Sequence, residues 1–400
     1  LQAGSARILL GSGRGRFIKY LQTQAASMTQ SIHMVCLCSP WPADTGGARD
    51  MLERLKALHQ HGIRVHLHYF IRKHEHPAEE LNTFCSRISV YRRNSPWSGM
   101  LNGWPYIIAC RQDKALLNNL NADKDPILFD GIHTTAFINQ LHQNNRKLVI
   151  RMHNDEVRYY SSLIRFERNV FKRLYFRWES IRLHHWMKRV PHDIPLGCVQ
   201  TNEQEVLKNK YGFTRTFLLP PPVPSSVNIA TGTGGYCLYH GNLSVGENER
   251  AAIWLLRRVF AQIKLPLVIA GKSPSKKLEK LVHFYQHACL VGNPTQSELQ
   301  DLIRKAQINV LPSLTDTGIK QKIFDALQHG RHCLINSNMQ VGSPWTDSCH
   351  VASDPAEMGE LVQELFKTPF TEKMIQDRDE RLQYWRNELN PIDELIKQLS

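Results

Sequence analysis

Strand-like and helix-like runs alternate twice along this chain, and a Pro-rich stretch at Pro220–Pro224 separates the two series. In the first series an apolar run, Met34–Ser39, leads through a Pro/Gly loop (Pro40 to Gly47) into a helical pattern. There Met51, Leu52, Leu55 and Leu58 recur at i, i+3/i+4 and i+7. Gly62 stands where a helix-ending glycine belongs, and a second strand pattern, Ile63–Phe70, follows at once. A strand, a helix and a strand joined this way form a parallel βαβ unit. Further strand patterns are Ile88–Tyr91, Ile127–Phe129, Lys147–Met152 and Gly197–Thr201.

The second series repeats the grammar with Tyr236–Tyr239, Leu265–Ala270, Ala288–Val291, Ile308–Leu311 and His332–Ile335. Helices between them are expected near Asn248, Ser275, Gln296 and Gly318. The reading is α/β: two Rossmann-like, doubly wound domains facing across a cleft, with residues 28–222 in the first and 236–368 in the second. Residues 369–400 form a charged helical segment expected to pack back on the first domain. A length of 400 residues suits two domains. Open parallel sheets bind ligands at the carboxyl ends of their strands, so two facing sheets place the site between them.

The formal charge is +14, from 50 Lys+Arg against 36 Asp+Glu. So basic a balance calls for an anionic partner: nucleic acid, a phosphorylated small molecule or an acidic membrane. Residues 1–27 hold Arg7, Arg14, Arg16 and Lys19 and no acid, and the first methionine is Met28. This segment reads as non-native or mis-annotated, with a cleaved basic leader as the alternative. Its GSGRG run is not a dinucleotide fingerprint. No apolar run approaches the ~18 residues of a spanning helix. The nine cysteines include no C-x-x-C. Cys36 and Cys38 fall on one face of a strand, which reads as buried thiols in a reduced, cytoplasmic protein.

Four loops that follow predicted strands carry chemically able residues. Gly46 and Gly47 precede a helix and would let backbone N–H groups approach a phosphate; a tight βα turn needs the same glycines. His153 and Asn154 follow the strand Lys147–Met152, with Glu156 entering a helix. A histidine there suits acid/base work or a substrate hydroxyl, while Asn154 or Asp155 equally suits a helix cap. The third loop is HGNLSVGENE. In the fourth, Gly318 is read as opening a helix with Lys320 in its first turn and Asp325 two turns in. A lysine at a helix N-terminus opposes the dipole, so a bound anion accounts for it better than stability does. An amphipathic helix with Ile319, Ile323, Ala326 and Leu327 on one face is the alternative.

The fourth loop resembles the signature helix of retaining GT-B glycosyltransferases of the large family-4 type, read here as Gly318, Lys322, Asp325, Ala326 and Gly330. The ordered loops over residues 33–366 resemble bacterial glycosyltransferases of surface-polysaccharide clusters. The resemblance implies a retaining transfer from a nucleotide-sugar donor to the hydroxyl of a glycan or polyprenyl-linked acceptor, with no metal and no further cofactor. It implies that His153 and Lys320 are catalytic, and that Gly46, Gly47, Gly241, Asn242, Gly271, Lys272, Gly318, Ile319, Lys320, Lys322 and Asp325 bind the donor. Asn154 and Glu156 would lie on the acceptor side. Asp325 would hold the ribose hydroxyls, a task the family gives to Glu. The family has Arg and Lys in the first loop of the second domain where this chain has Asn242 and Asn248; Lys272, Lys320 or Lys322 would replace them. The first acid of the family's pair falls near Thr317.

Half of the net charge lies in residues 158–189, with nine Lys/Arg and two Glu. Tyr160, Ile164, Phe171, Leu174, Trp178 and Ile181 form one helical stripe, read as core. The remaining aromatics and arginines suit peripheral contact with the inner face of the cytoplasmic membrane. A solvated face and a single-stranded nucleic-acid surface are the rivals, and no nucleic-acid partner is expected. Two other readings keep the fold: a catalytically degenerate scaffold subunit, and a nucleotide-sugar epimerase.

Overall fold

A computed structural model describes residues 30–43, 45–95, 103–167, 169–223, 226–315, 321–340, 344–389 and 391–400. The segment 1–27, with its GSGRG run, lies outside the described residues.

Two parallel sheets form the frame. The first holds β1 (Ser31–Cys36), β2 (Arg64–Ile71), β3 (Arg87–Arg92), β4 (Ile127–Asp130), β5 (Leu148–Arg151), β6 (Leu196–Cys198) and β7 (Thr216–Leu218), in the order β3-β2-β1-β4-β5-β6-β7. The second holds β8 (Cys237–His240), β9 (Leu267–Gly271), β10 (Ala288–Gly292), β11 (Ile308–Leu311), β12 (His332–Asn336) and β13 (His350–Ala352), ordered β10-β9-β8-β11-β12-β13. Both follow the 3-2-1-4-5-6 winding of Rossmann-like sheets. The short strands β7 and β13 were not legible: three residues carry too little pattern.

Chemistry accounts for the local choices. β4 and β5 are buried along their whole length, as strands covered on both faces must be. Helix α1 (Gly46–Gln60) buries Met51, Leu52, Leu55 and Leu58 as its periodicity required. Gly62 takes φ 73°, a left-handed conformation that suits glycine and turns the chain into β2.

Helices α2 (Glu156–Phe166) and α3 (Val170–Met187) form a hairpin. Tyr160 of the expected core stripe packs against the first-domain core, but the structure corrects the part of the stripe on α3. Phe171 is 84% exposed, Leu174 66% and Ile181 49%. Only the last turns of α3 enter the core, through Leu183, Trp186 and Met187, with the Trp186 indole N–H donating to Thr135 Oγ1 at 3.0 Å. Periodicity shows that a helix has an apolar face, not that anything covers it.

The second domain presents α4 (Gly246–Arg258) after β8 and α5 (Lys322–His329) after β11. Asp325 therefore sits in the first turn of α5 rather than two turns in. The chain then runs along the second domain in α6 (Glu372–Leu389), where Leu382 packs with Leu327 and Cys333. The final helix, α7 (Pro391–Leu399), crosses to the first domain and places Ile392, Leu395 and Leu399 in the cluster of Met51 and Leu55. All nine cysteines are free thiols, Cys36 fully buried and Cys38 partly so.

Candidate active site

The carboxyl ends of the two sheets border a cleft of about 500 Å³. Its walls include Thr45, Gly46 and Arg49 from the first domain. From the second come His240, Gly241, Asn242, Asn248, Gly271, Lys272, Gln321, Lys322 and Asp325. A second lobe, about 620 Å³, shares Arg49, Gln321 and Asp325 and continues past Asp50 and Pro221.

Three helices point their amino ends at this space. On α1, the Thr45 hydroxyl takes the Ala48 N–H at 3.3 Å, and helical bonding starts with Arg49 N–H to the Thr45 carbonyl at 3.0 Å. Helix geometry leaves the amides of Gly46 and Gly47 outside that ladder. A Cβ at Gly46 would touch Gln321 at 3.5 Å, whereas one at Gly47 would meet nothing within 4 Å. Neither α4 nor α5 has a side-chain cap, at Val245 or Gln321. Uncapped helix amino ends attract anions.

The floor is built by close backbone approach. A Cβ on Gly271 would fall 1.9 Å from the Gly241 carbonyl oxygen, so only glycine lets β8 and β9 meet there. The Asn242 side chain accepts from Ser244 N–H at 3.1 Å and Ser244 Oγ at 2.7 Å, which shapes the loop. Asn248 Nδ2 donates to the Asn242 carbonyl at 3.0 Å. Lys322 Nζ lies 3.4 Å from both Asn248 Oδ1 and the Tyr239 hydroxyl, 4.8 Å above the Tyr239 ring. Lys322 thus stands over the loop in which this chain has asparagines where its relatives by resemblance have cations.

Two cleft residues escaped the sequence reading. Arg49 on α1 hydrogen-bonds Asp325 on α5 and joins the two domains through an ion pair. Burial raises the Asp325 pKa, and Arg49 opposes that rise. The signal was present: Arg49, like Lys320, is a cation in the first turn of an expected helix. His240 ends β8 at the topological switch of the second sheet. It is 2% exposed, and burial, then Lys322 and Arg49, push its pKa down to about 3. It is a neutral imidazole whose Nε2 has no hydrogen-bond partner among the described residues.

His153 does not itself line these lobes but meets Asp50, which does. It belongs to a buried cluster with Asp50 and Arg54 of α1, Asp130 at the end of β4 and Arg151 at the end of β5. Arg54 reaches Asp50 at 2.9 Å and Asp130 at 3.2 Å; Arg151 reaches Asp50 at 2.8 Å. His153 Nε2 lies 2.9 Å from Asp130 Oδ1, and Arg151 donates to His153 Nδ1 at 2.7 Å. A guanidinium only donates, so Nδ1 supplies the lone pair and the neutral ring carries its proton on Nε2, whose 2.9 Å approach to Asp130 is electrostatic and not an aligned hydrogen bond. Burial works against a charged ring, but Asp130 and Asp50 outweigh it and the pKa is raised.

Asp155 caps α2 by accepting from Arg158 N–H at 3.0 Å. Asn154 and Glu156 line a small internal pocket of the first domain beside Val157, Leu183 and Glu203. Burial pushes the Glu156 pKa up to about 7, with Asp155 and Glu203 adding to it and His153 opposing it. A carboxyl whose folded pKa is raised contributes stability below its unfolded value and loses it as pH rises through the folded one. Glu156→Gln should therefore raise the melting temperature at pH 8 and lose that advantage by pH 4.5. The difference should be at most about 3 kcal/mol. Melting curves at both pH values check this; a gain that does not shrink on acidification counts against it. Gly318, Ile319, Lys320 and Thr317 lie outside the described residues.

Residues 234–368 match the family model described as glycosyl transferases group 1. Over 78% of this chain and 83% of its own length, a 44.6 kDa protein from the cps region of Klebsiella pneumoniae is 25% identical. Among solved structures, sucrose-phosphate synthase of Thermosynechococcus elongatus superposes with a TM-score of 0.67 at 16% identity, over 92% of this chain and 99% of its own. An E. coli structure titled trehalose-6-phosphate, bound with UDP-2-fluoro glucose, gives 0.61 at 10% identity over 92% and 99%. The two facing sheets have the GT-B fold. The protein is a glycosyltransferase whose second domain is similar to the glycosyl transferases group 1 family.

Proposed function

We propose that this glycosyltransferase moves a sugar, with retention, from a nucleotide-sugar to a hydroxyl of a glycan or lipid-linked acceptor in surface-polysaccharide synthesis. The observation that carries the reading is the cleft itself: three helix amino ends with Lys322, Arg49 and neutral His240 around one space. A nucleoside diphosphate is an anion of the size and charge such a space attracts. The cps-region relative supports the polysaccharide context. In the reaction the bond from the sugar C1 to the diphosphate breaks and a bond from C1 to the acceptor oxygen forms. The acceptor proton leaves with the diphosphate. The helix ends and Lys322 would stabilise the charge that grows on the leaving group, with no metal required. Asp325 would take the ribose hydroxyls once Arg49 turns toward the phosphates. Lys320, Gly318 and Ile319 keep their proposed donor roles, and His153 a role near the sugar through the buried cluster.

A thermal-shift screen with GDP-, UDP-, dTDP- and ADP-linked sugars tests this. A donor that binds only the folded chain should raise its melting temperature, by about 2.7 kcal/mol of stabilisation at 100 times its Kd. If no nucleotide sugar shifts the transition, the reading fails.

Peripheral membrane contact through 158–189 is part of the same proposal. Phe171, Leu174 and Ile181 stand in solvent beside Lys172, Arg173 and Arg177, a pairing that suits an anionic bilayer. Wild-type protein should float with vesicles containing an anionic lipid, and Phe171→Asp with Leu174→Asp should abolish flotation. Flotation that persists in the double variant would place the contact elsewhere.

A further inference from the structure

Away from the cleft, near the amino ends of the strands, three histidines share one face of the first sheet. His66 and His68 alternate on β2, and His33 on β1 stands in register with His66. Side chains two apart on a strand, and those in register across it, point to the same side. His33 and His68 are fully buried, while His66 is partly open to solvent. The ring centroids lie 5.0, 5.1 and 4.0 Å apart.

Each ring has one nitrogen tied to an outer partner. His33 Nε2 meets Asp123 Oδ1 at 2.8 Å, His68 Nδ1 meets the Tyr91 hydroxyl at 2.8 Å, and His66 Nε2 meets Ser89 Oγ at 2.9 Å. The other three nitrogens are His33 Nδ1, His68 Nε2 and His66 Nδ1; the first two lie only 2.8 Å apart. One ligand atom from each of the three residues falls within 4.8 Å of the others. An outer carboxylate or hydroxyl on the far nitrogen is the arrangement that orients and strengthens a metal-binding imidazole. Tetrahedral zinc with Zn–N bonds near 2.0–2.1 Å sets its ligand nitrogens roughly 3.3 Å apart, so modest side-chain shifts complete the set.

We propose that His33, His66 and His68 bind one divalent transition-metal ion of the zinc type, as a structural clamp on β1 and β2. Without metal, the Asp123 carboxylate requires the His33 proton on Nε2, so His33 Nδ1 accepts a hydrogen bond from His68 Nε2–H. Binding requires only that the His68 proton move to Nδ1, where the Tyr91 oxygen receives it; the protons on the three rings are conserved. Imidazole ligands suit zinc, copper and nickel better than magnesium or calcium.

The full chain, treated with chelator, is titrated with Zn2+ by calorimetry and with Co2+ by absorption. One equivalent should bind, with visible cobalt bands of a four-coordinate nitrogen site and no near-ultraviolet thiolate charge transfer. His66→Ala should remove binding. Ser89→Ala should weaken it by about 10- to 100-fold. The proposal is overturned by wild-type protein that binds no stoichiometric metal, by a thiolate band that assigns the metal to cysteines, or by unchanged binding in folded His66→Ala. If His66→Ala does not fold, unchanged affinity in Ser89→Ala overturns it.

Discussion

Lys322→Met should lower kcat by about 10²- to 10³-fold, the loss typical of removing one pre-placed donor from a developing anion. Lys322 opens α5, where its charge opposes the helix dipole and gains nothing from it. It is held over Tyr239 at 4.8 Å, with Asn248 Oδ1 and the Tyr239 hydroxyl each 3.4 Å from Nζ. These are long contacts, which a diphosphate oxygen can replace with a shorter, charge-assisted bond. Methionine keeps the apolar stem against Tyr239 and removes the charge, so the fold should survive. Initial rates with the donor identified by thermal shift decide the matter. A variant with a normal melting temperature and a rate within threefold of wild type would sink the assignment.

The largest effect on stability is expected at Arg151. Arg151→Leu should cost about 3–5 kcal/mol, because removing one partner of a buried ion cluster leaves the opposite charge uncompensated. Two carboxylates, Asp50 and Asp130, face two guanidiniums, Arg54 and Arg151, all buried. Without Arg151 the net charge becomes −1 in a site where desolvation is severe, and His153 Nδ1 loses its donor. Urea denaturation measures the loss. A second variant, Asp50→Leu with Arg151→Leu, should recover part of it, since neither deleted charge then lacks its counterion. A cost under about 1 kcal/mol for Arg151→Leu would mean that water screens the cluster.

The same cluster shows where sequence reading met its limit. His153 and Arg151 were visible as the end of a strand and the start of a loop. That their neighbours would be Asp50, Arg54 and Asp130 was not, because those side chains come from α1 and β4, 76 positions apart for the Arg54–Asp130 pair. The resemblance implies an acceptor-side place for Asn154 and Glu156. The structure sets them along a small pocket with Leu183 and Glu203, a grouping that no spacing in the chain announces. The α3 stripe differs for another reason: Phe171, Leu174 and Ile181 have the spacing of a core face, yet the hairpin leaves them exposed.

What was legible in the residues themselves follows from short-range physics. Strand and helix periods, the Gly62 stop and the Pro-rich divide depend on neighbours within a few positions, so two wound parallel sheets and the glycine-lined mouth of the cleft could be read directly. Which charged groups meet was settled only by packing. The Arg49–Asp325 pair across the two domains, the ion cluster that ties His153 to Asp50 and Asp130, and the three histidines set under one sheet face each depend on elements far apart in the chain. Their energies come from burial and from distances of 3–4 Å, and no spacing along one chain encodes either.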